Sequence, residues 1–370
     1  MRVAIFYNTA WYVYIFRRNL ILRLQSRGAH VAAITPNDPY VEKVEALGVE
    51  HFSVNLTPHG KNILGEIRTI LDTYRQLKRY RPTHVLSFTI KCNLYSGLCN
   101  YLIGFRQVAN ISGLGEAFER RGPLNALVKI VYRLALRRAH RVFFQNREDM
   151  ELFLRLRLVP QRAATLLPGS GIDLSKFSPA IRIPEPGERR VLLIFGRLLP
   201  QKGYGLLLEA GRQLREEGRQ DFEIWMLGKP DMERAQSREL YAAIQAADQA
   251  GEVTYLPPTD DVLPILNQAH AVVLPSTYNE GVPRSLLEAL ACGKPIITTD
   301  WKGCRETVVV GENGLLAKPH DQESLTSTLR TFLDLDPNRV AEMAHASRAL
   351  AERKFDEQIV LNAYLDAVSA

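Results

Sequence analysis

The sequence predicts an α/β protein built from two doubly wound parallel-sheet domains in tandem. Three observations carry this expectation. Short apolar runs alternate with longer amphipathic segments along most of the chain. A Gly- and Pro-rich lapse interrupts the alternation near its middle. At 370 residues the chain exceeds one typical core and suits two of roughly 150–200 residues.

In the first half the candidate strands are Arg2–Tyr7, His30–Thr35, Glu50–Val54, Thr83–Phe88, Gln107–Ile111, Arg141–Gln145 and Ala163–Leu167. Between them lie helical patterns such as Ile63–Tyr80, where Leu64, Ile67, Ile70, Leu71, Tyr74 and Leu77 recur at the spacing of one helix face. Repeated strand–helix–strand order implies a parallel sheet covered on both sides. Pro168, Gly169, Gly171, Pro179, Pro184, Pro186 and Gly187 then read as a linker. Alternation resumes with Arg190–Phe195, Phe222–Leu227, Val253–Leu256, Ala271–Pro275, Pro295–Thr299 and Gly314–Ala317, and helices fill the end. The expected organisation is a first domain over 1–170, a linker over 171–189, a second domain over 190–352 and a terminal helix over 353–370. A cleft between two such domains is the natural ligand site.

Charge divides the chain in the same place. Residues 1–170 hold 25 Lys and Arg against 11 Asp and Glu, whereas the remainder holds 22 against 29. The basic half is expected to face something anionic. Interleaved stacking aromatics and a known nucleic-acid motif are missing, so no nucleic-acid partner is expected. Cys92, Cys99, Cys292 and Cys304 form no C-x-x-C pair and fit free thiols in a reducing cytosol. The opening apolar run is too short for a signal peptide, and no stretch approaches the ~18 apolar residues of a membrane span. A cytoplasmic, peripherally membrane-bound protein is the expectation.

The first chemical signal is Gly196-Arg197-Leu198 closing a strand, with Lys202-Gly203 at the following helix start. Two cations there suit a diphosphate, because the helix terminus adds free N–H groups and partial positive charge; solvated surface cations would look the same. The second is Pro275-Ser276-Thr277-Tyr278-Asn279-Glu280-Gly281-Val282-Pro283, with Glu288 beyond it and Gly293-Lys294-Pro295 as a helix stop. Pro283 fits the first helical position, and Gly281 permits close backbone approach to a ligand. Glu280 and Glu288 are eight residues apart, about 12 Å of helix rise. Paired hydrolase carboxylates sit roughly 5–9.5 Å apart, so contacts to two parts of one extended ligand fit better.

Taken together, Gly196-Arg197-Leu198-x-x-x-Lys202-Gly203, Glu280-x7-Glu288 and Glu312-Asn313-Gly314-Leu315 resemble family 4 of the retaining glycosyltransferases. The resemblance implies the two-Rossmann GT-B fold and a C-terminal helix that crosses back onto the first domain. It also implies that Arg197 and Lys202 hold the donor diphosphate and that Glu280 meets the transferred sugar. Gly196, Gly281, Val282 and Pro283 would contribute backbone contacts, and Glu288 would bind the ribose. Neither a metal nor another cofactor is expected; the nucleotide sugar is a substrate.

Lys91-Cys92-Asn93-x-Tyr95-x-Gly97, Ile111-Ser112-Gly113-Leu114-Gly115 and Gly303-Cys304-Arg305-Glu306 are similar to a narrower branch acting on polyprenyl-diphosphate-linked sugars. Its best-known members transfer N-acetylgalactosamine from a uridine nucleotide. Two departures stand out. Asn8-Thr9-Ala10-Trp11 replaces a Gly-Gly loop, and Gly113–Gly115 replaces a His, so backbone at Gly113 would take over donor contacts. Lys91, Arg17 and Arg18 are candidate ligands of the acceptor diphosphate. In Pro123–Arg141 the apolar positions Leu124, Leu127, Val128, Val131, Leu134 and Ala135 are ringed by Arg120, Arg121, Lys129, Arg133, Arg137, Arg138 and Arg141. That is the pattern of a helix on an anionic membrane surface, or of a helix packed on its own sheet. A nucleotide-sugar epimerase of the same fold, a GDP-sugar donor or a non-lipid acceptor stay open as alternatives. A nicotinamide dehydrogenase lacks its G-x-G-x-x-G.

Overall fold

The computed structural model describes all residues except 57–62, 115–117, 119–122, 180, 186 and 370. They form two compact units, Met1–Gly169 with Gln358–Ala370, and Ser170–Glu357.

The strands of the first unit are β1 (Arg2–Phe6), β2 (His30–Thr35), β3 (Glu50–Ser53), β4 (His84–Phe88), β5 (Arg106–Ile111), β6 (Arg141–Phe144) and β7 (Ala164–Leu166). They make one parallel sheet ordered β3-β2-β1-β4-β5-β6-β7. Its helices are α1 (Ala10–Ser26), α2 (Val41–Glu45), α3 (Ile63–Tyr80), α4 (Ile90–Ile103), α5 (Pro123–Leu136) and α6 (Arg147–Arg155). Period-2 alternation sends Ala4, Phe6, Val85 and Phe144 to the face covered by α4 and α5. Val3, Ile5, Leu86, Phe88 and Val108 go to the opposite face, under α1.

The second unit runs β8 (Arg190–Phe195), α7 (Tyr204–Glu216), β9 (Phe222–Leu227), α8 (Ala235–Gln249), β10 (Thr254–Leu256), α9 (Leu263–Gln268), β11 (Ala271–Leu274), α10 (Arg284–Ala291), β12 (Ile296–Thr299) and β13 (Gly314–Ala317). Then come α11 (Gln322–Leu333) and α12 (Pro337–Leu350); the last helix, α13 (Glu357–Ser369), belongs to the first unit from Gln358 onward. The sheet is parallel, ordered β10-β9-β8-β11-β12-β13. Within residues 171–189, Ile172 and Phe177 are buried in this unit's core, and Ile172 bridges to Asp356.

The C-terminal helix α13 packs on the first unit: Tyr364 lies against Phe88 and Phe143 and accepts a hydrogen bond from Asn110 Nδ2. Connections α1 and α2 cover only the β1-β2-β3 side of their face. Val360, Leu361, Tyr364 and Leu365 of α13 fill the rest of that face beside Leu86, Val108 and Phe143.

In two helices the apolar positions divide between the core and the surface. In α3, Leu64, Ile67 and Leu71 are exposed, and Thr69, Thr73 and Leu77 are buried instead. The threonines are admitted because their hydroxyls bond back to Gly65 and Thr69 carbonyls at 3.0 and 2.8 Å. In α5, Leu127 and Leu134 face outward with Ile130, while Tyr132, Ala135 and Leu136 pack inward. Arg120, Arg121 and the Leu124 side chain lie outside the described residues. Among the described residues no helix is long and apolar enough to cross a membrane.

Candidate active site

A doubly wound sheet opens a crevice at the carboxyl ends of the two strands where its connections reverse direction. In the second unit those strands are β8 and β11. Gly196 and Arg197 follow β8, and Pro275 to Pro283 follow β11, so the topology gathers the two sequence signals.

Three glycines let these segments approach. A Cβ on Gly203, whose φ is +85°, would lie 2.3 Å from the Pro275 carbonyl oxygen. One on Gly228 would lie 2.4 Å from the Gly196 oxygen, and one on Gly303, at φ +81°, would lie 1.9 Å from the Gly281 oxygen. The Tyr204 hydroxyl donates to the Gly196 and Leu227 carbonyls, at 3.0 and 2.9 Å, and Thr277 N donates to Gln201 O at 2.8 Å.

At the centre, the buried Lys202 ammonium is paired with the Glu280 carboxylate. Arg197 is exposed, its guanidinium carbon 5.6 Å from the Tyr278 ring centroid; Lys202 Nζ is 5.9 Å from the same ring. Gly281, Val282 and Pro283 are buried at the start of α10. Pro283 stands at the N-cap rather than the first helical position, with φ −59° and ψ 127°. The extended ψ is the reason: Pro283 enters the helix through its carbonyl, which accepts from Leu286 N at 3.1 Å. One turn along, Arg284 Nε meets Glu288 Oε1 at 3.1 Å, and Arg284 Nη1 donates to Gly171 O at 3.0 Å. Burial pushes the Glu288 carboxyl pKa up, and Arg284 pulls it partly back.

Arg197, Lys202, Glu280, Glu288, Gly196, Gly281, Val282 and Pro283 thus all belong to one unit. Gly113 does not: it follows β5 in the first unit, at φ +129°, and Gly115 lies outside the described residues. Lys91 opens α4 and is paired with Glu66 at 2.6 Å. Arg17 and Arg18 have different surroundings. Arg17 is 5% exposed over Phe88, whereas Arg18 is exposed near Tyr14. Sequence reasoning missed Arg284, Tyr278, Gly203 as a packing glycine, and Gly228. Arg284 was within reach, since a cation four residues before a helical carboxylate is a recognisable pair.

Two parallel sheets, a crevice with paired Lys and Glu, and a helix carrying a second acid define a GT-B glycosyltransferase. Two family models divide the chain between them: "Glycosyl transferase 4-like domain" matches residues 15–169 and "Glycosyl transferases group 1" matches residues 180–349. The chain belongs to the family 4-like glycosyltransferases. It is similar to the N,N'-diacetylbacillosaminyl-diphospho-undecaprenol alpha-1,3-N-acetylgalactosaminyltransferase of Campylobacter jejuni, 26% identical across 99% of this chain and 97% of the relative. D-inositol 3-phosphate glycosyltransferase of an Arthrobacter species is 31% identical, over 54% of this chain and 49% of that protein. Among solved structures, HepE of Anabaena with UDP and glucose superposes with a TM-score of 0.81 at 18% identity, covering 100% of this chain and 99% of the other. Sucrose-phosphate synthase of Thermosynechococcus elongatus gives 0.82 at 18% identity, covering 100% and 98%.

Proposed function

We propose that the protein transfers an N-acetylhexosamine, with retention, from a UDP-sugar to a polyprenyl-diphosphate-linked saccharide in bacterial surface-glycan assembly. The observation that carries the donor half is the Lys202–Glu280 pair at the β8/β11 crevice with Arg197 beside it. A buried ion pair adds little to stability, because desolvation offsets attraction. It is suited to exchange: Lys202 passes to a donor phosphate oxygen while Glu280 accepts from the sugar hydroxyls.

Breaking the anomeric C–O bond leaves negative charge on the nucleotide diphosphate. Arg197 and Lys202 neutralise that charge as it develops, so the reaction needs no metal. Backbone N–H groups at Gly281 and Val282 approach the donor, and Glu288, held by Arg284, receives the ribose. The full-length similarity to an undecaprenol-linked transferase supports the acceptor class.

The acceptor's lipid requires a membrane-facing surface. Leu64, Ile67 and Leu71 on α3, and Leu127, Ile130 and Leu134 on α5, are exposed on helices that both pack against α4. Arg133, Arg137 and Arg138 are exposed among them. Apolar side chains rimmed by cations fit the headgroup boundary of an anionic leaflet, the inner face of the plasma membrane in this reading.

Thermal-shift measurement with UDP- and GDP-sugars tests the donor. A UDP-sugar is expected to raise Tm by binding the folded state, and no shift with any nucleotide sugar contradicts the reading. Binding to anionic vesicles is expected to weaken as salt rises. Equal binding to neutral vesicles contradicts the membrane assignment.

A further inference from the structure

In the loop that follows β11, Tyr278 stands beside both cations of the crevice. Its ring centroid is 5.6 Å from the Arg197 guanidinium carbon and 5.9 Å from Lys202 Nζ. Both distances lie within the range over which an aromatic ring attracts a cation. Tyr278 is half-buried, Lys202 is buried and Arg197 is exposed.

The backbone around Tyr278 fixes where that ring can go. Tyr278 N donates to Ser276 Oγ at 3.2 Å, and the Tyr278 carbonyl accepts from Glu280 N at 2.8 Å. The Ser276 carbonyl accepts in turn from Thr299 Oγ1, at the end of β12, and from Cys304 Sγ at 3.9 Å. On the other side Thr277 N donates to Gln201 O at 2.8 Å, which ties the turn to the segment carrying Lys202. The ring, Lys202 and Glu280 are thereby held in one hydrogen-bonded frame.

The chemistry of the ring suits this place. A carboxylate at position 278 would also attract the two cations, but it would neutralise them and compete with a phosphate for their donors. An aromatic ring attracts a cation through its quadrupole and carries no net charge. The cations are therefore in place before an anion arrives and keep their charge for it, which is the preorganisation that stabilising a departing diphosphate requires.

We infer that Tyr278 is a positioning residue of the donor site, whose ring holds Arg197 and Lys202 in the register that a nucleotide diphosphate needs. The inference rests on the donor reading proposed above, which names the two cations, and adds the group that aims them.

Calorimetric titration of the full chain with UDP tests it, in wild type, Tyr278→Phe, Tyr278→Leu, Arg197→Ala and the double variant of Arg197→Ala with Tyr278→Leu. Tyr278→Phe keeps the ring and is expected to bind UDP within about twofold of wild type. Tyr278→Leu is expected to weaken binding about fivefold. In the Arg197→Ala background the same leucine substitution is expected to cost about twofold or less, because part of its effect passes through the guanidinium. A merely structural role would give equal losses in both backgrounds. If Tyr278→Leu does not fold, pentafluorophenylalanine in place of Tyr278 decides: it keeps the shape of Phe, reverses the ring quadrupole and is expected to weaken UDP about fivefold relative to Tyr278→Phe. A leucine variant that binds UDP as wild type does, a phenylalanine variant as weak as the leucine one, or equal losses in both backgrounds each overturn the proposal. Arg197→Ala that binds UDP unaltered overturns the donor reading itself, so the two failures are told apart.

Discussion

Gly303 shows how a residue with no side chain controls one with chemistry. It stands at φ +81°, where a Cβ would meet the Gly281 carbonyl oxygen at 1.9 Å, next to the backbone of Glu280. That contact cannot relax through a flexible side chain, since both partners are backbone. Gly303→Ala is therefore expected to cost about 2–3 kcal/mol in stability and to move the Glu280–Gly281 turn. Turnover should fall at least about tenfold, which is under 2 kcal/mol of barrier. Urea unfolding and steady-state kinetics on the same preparation check both; unchanged kcat would show that the turn is held elsewhere. The four cysteines tell a contrasting story: all are free and buried, and burial pushes each thiol up to about 12. They behave as small core residues rather than nucleophiles.

At the scale of elements, α13 completes the first unit. Tyr364 is fully buried between Phe88, Phe143 and Asn110, on a sheet face that α1 and α2 leave uncovered. Tyr364→Ala removes that ring and leaves a cavity, with an expected loss of about 3–5 kcal/mol. Near-ultraviolet circular dichroism during urea unfolding would report it, and a loss below 1 kcal/mol would contradict the packing role. The strands were legible from sequence because in a parallel sheet covered on both faces they read as apolar runs. All thirteen described strands fall where such runs stand, within a residue of the expected ends. Helix faces were harder to read. Back-bonded Thr69 and Thr73 look polar in a periodicity argument, and the apolar pattern of α5 leaves open whether Leu127 and Leu134 face the core or the outside, where the structure puts them. Arg197, Lys202, Glu280 and Glu288 were legible as a motif. The buried state of Arg17 was not, because which face of α1 meets Phe88 depends on the sheet beneath it.

Across the whole molecule, one buried histidine ties stability to pH. His270 is fully buried; its Nδ1 accepts from Val191 N at 2.9 Å, and burial lowers its pKa from 6.5 to about 4. The nearby Glu188 carboxylate, 3.6 Å from Nε2, only partly offsets this. Between those values the unfolded chain binds the proton and the folded chain does not, so stability rises with pH from about 4 to 6.5. The contribution is on the order of 3 kcal/mol, and a His270→Gln variant is expected to flatten that segment of the stability–pH curve measured by urea unfolding. The central claim concerns the cations at the β8/β11 crevice. Single-turnover transfer from a UDP-sugar, comparing wild type with Lys202→Ala at saturating donor, tests it most directly. A drop in rate of about 10²-fold or more, with donor affinity changed much less, is the expected result. A variant that transfers sugar at the wild-type rate would contradict the role of Lys202 in receiving the departing nucleotide.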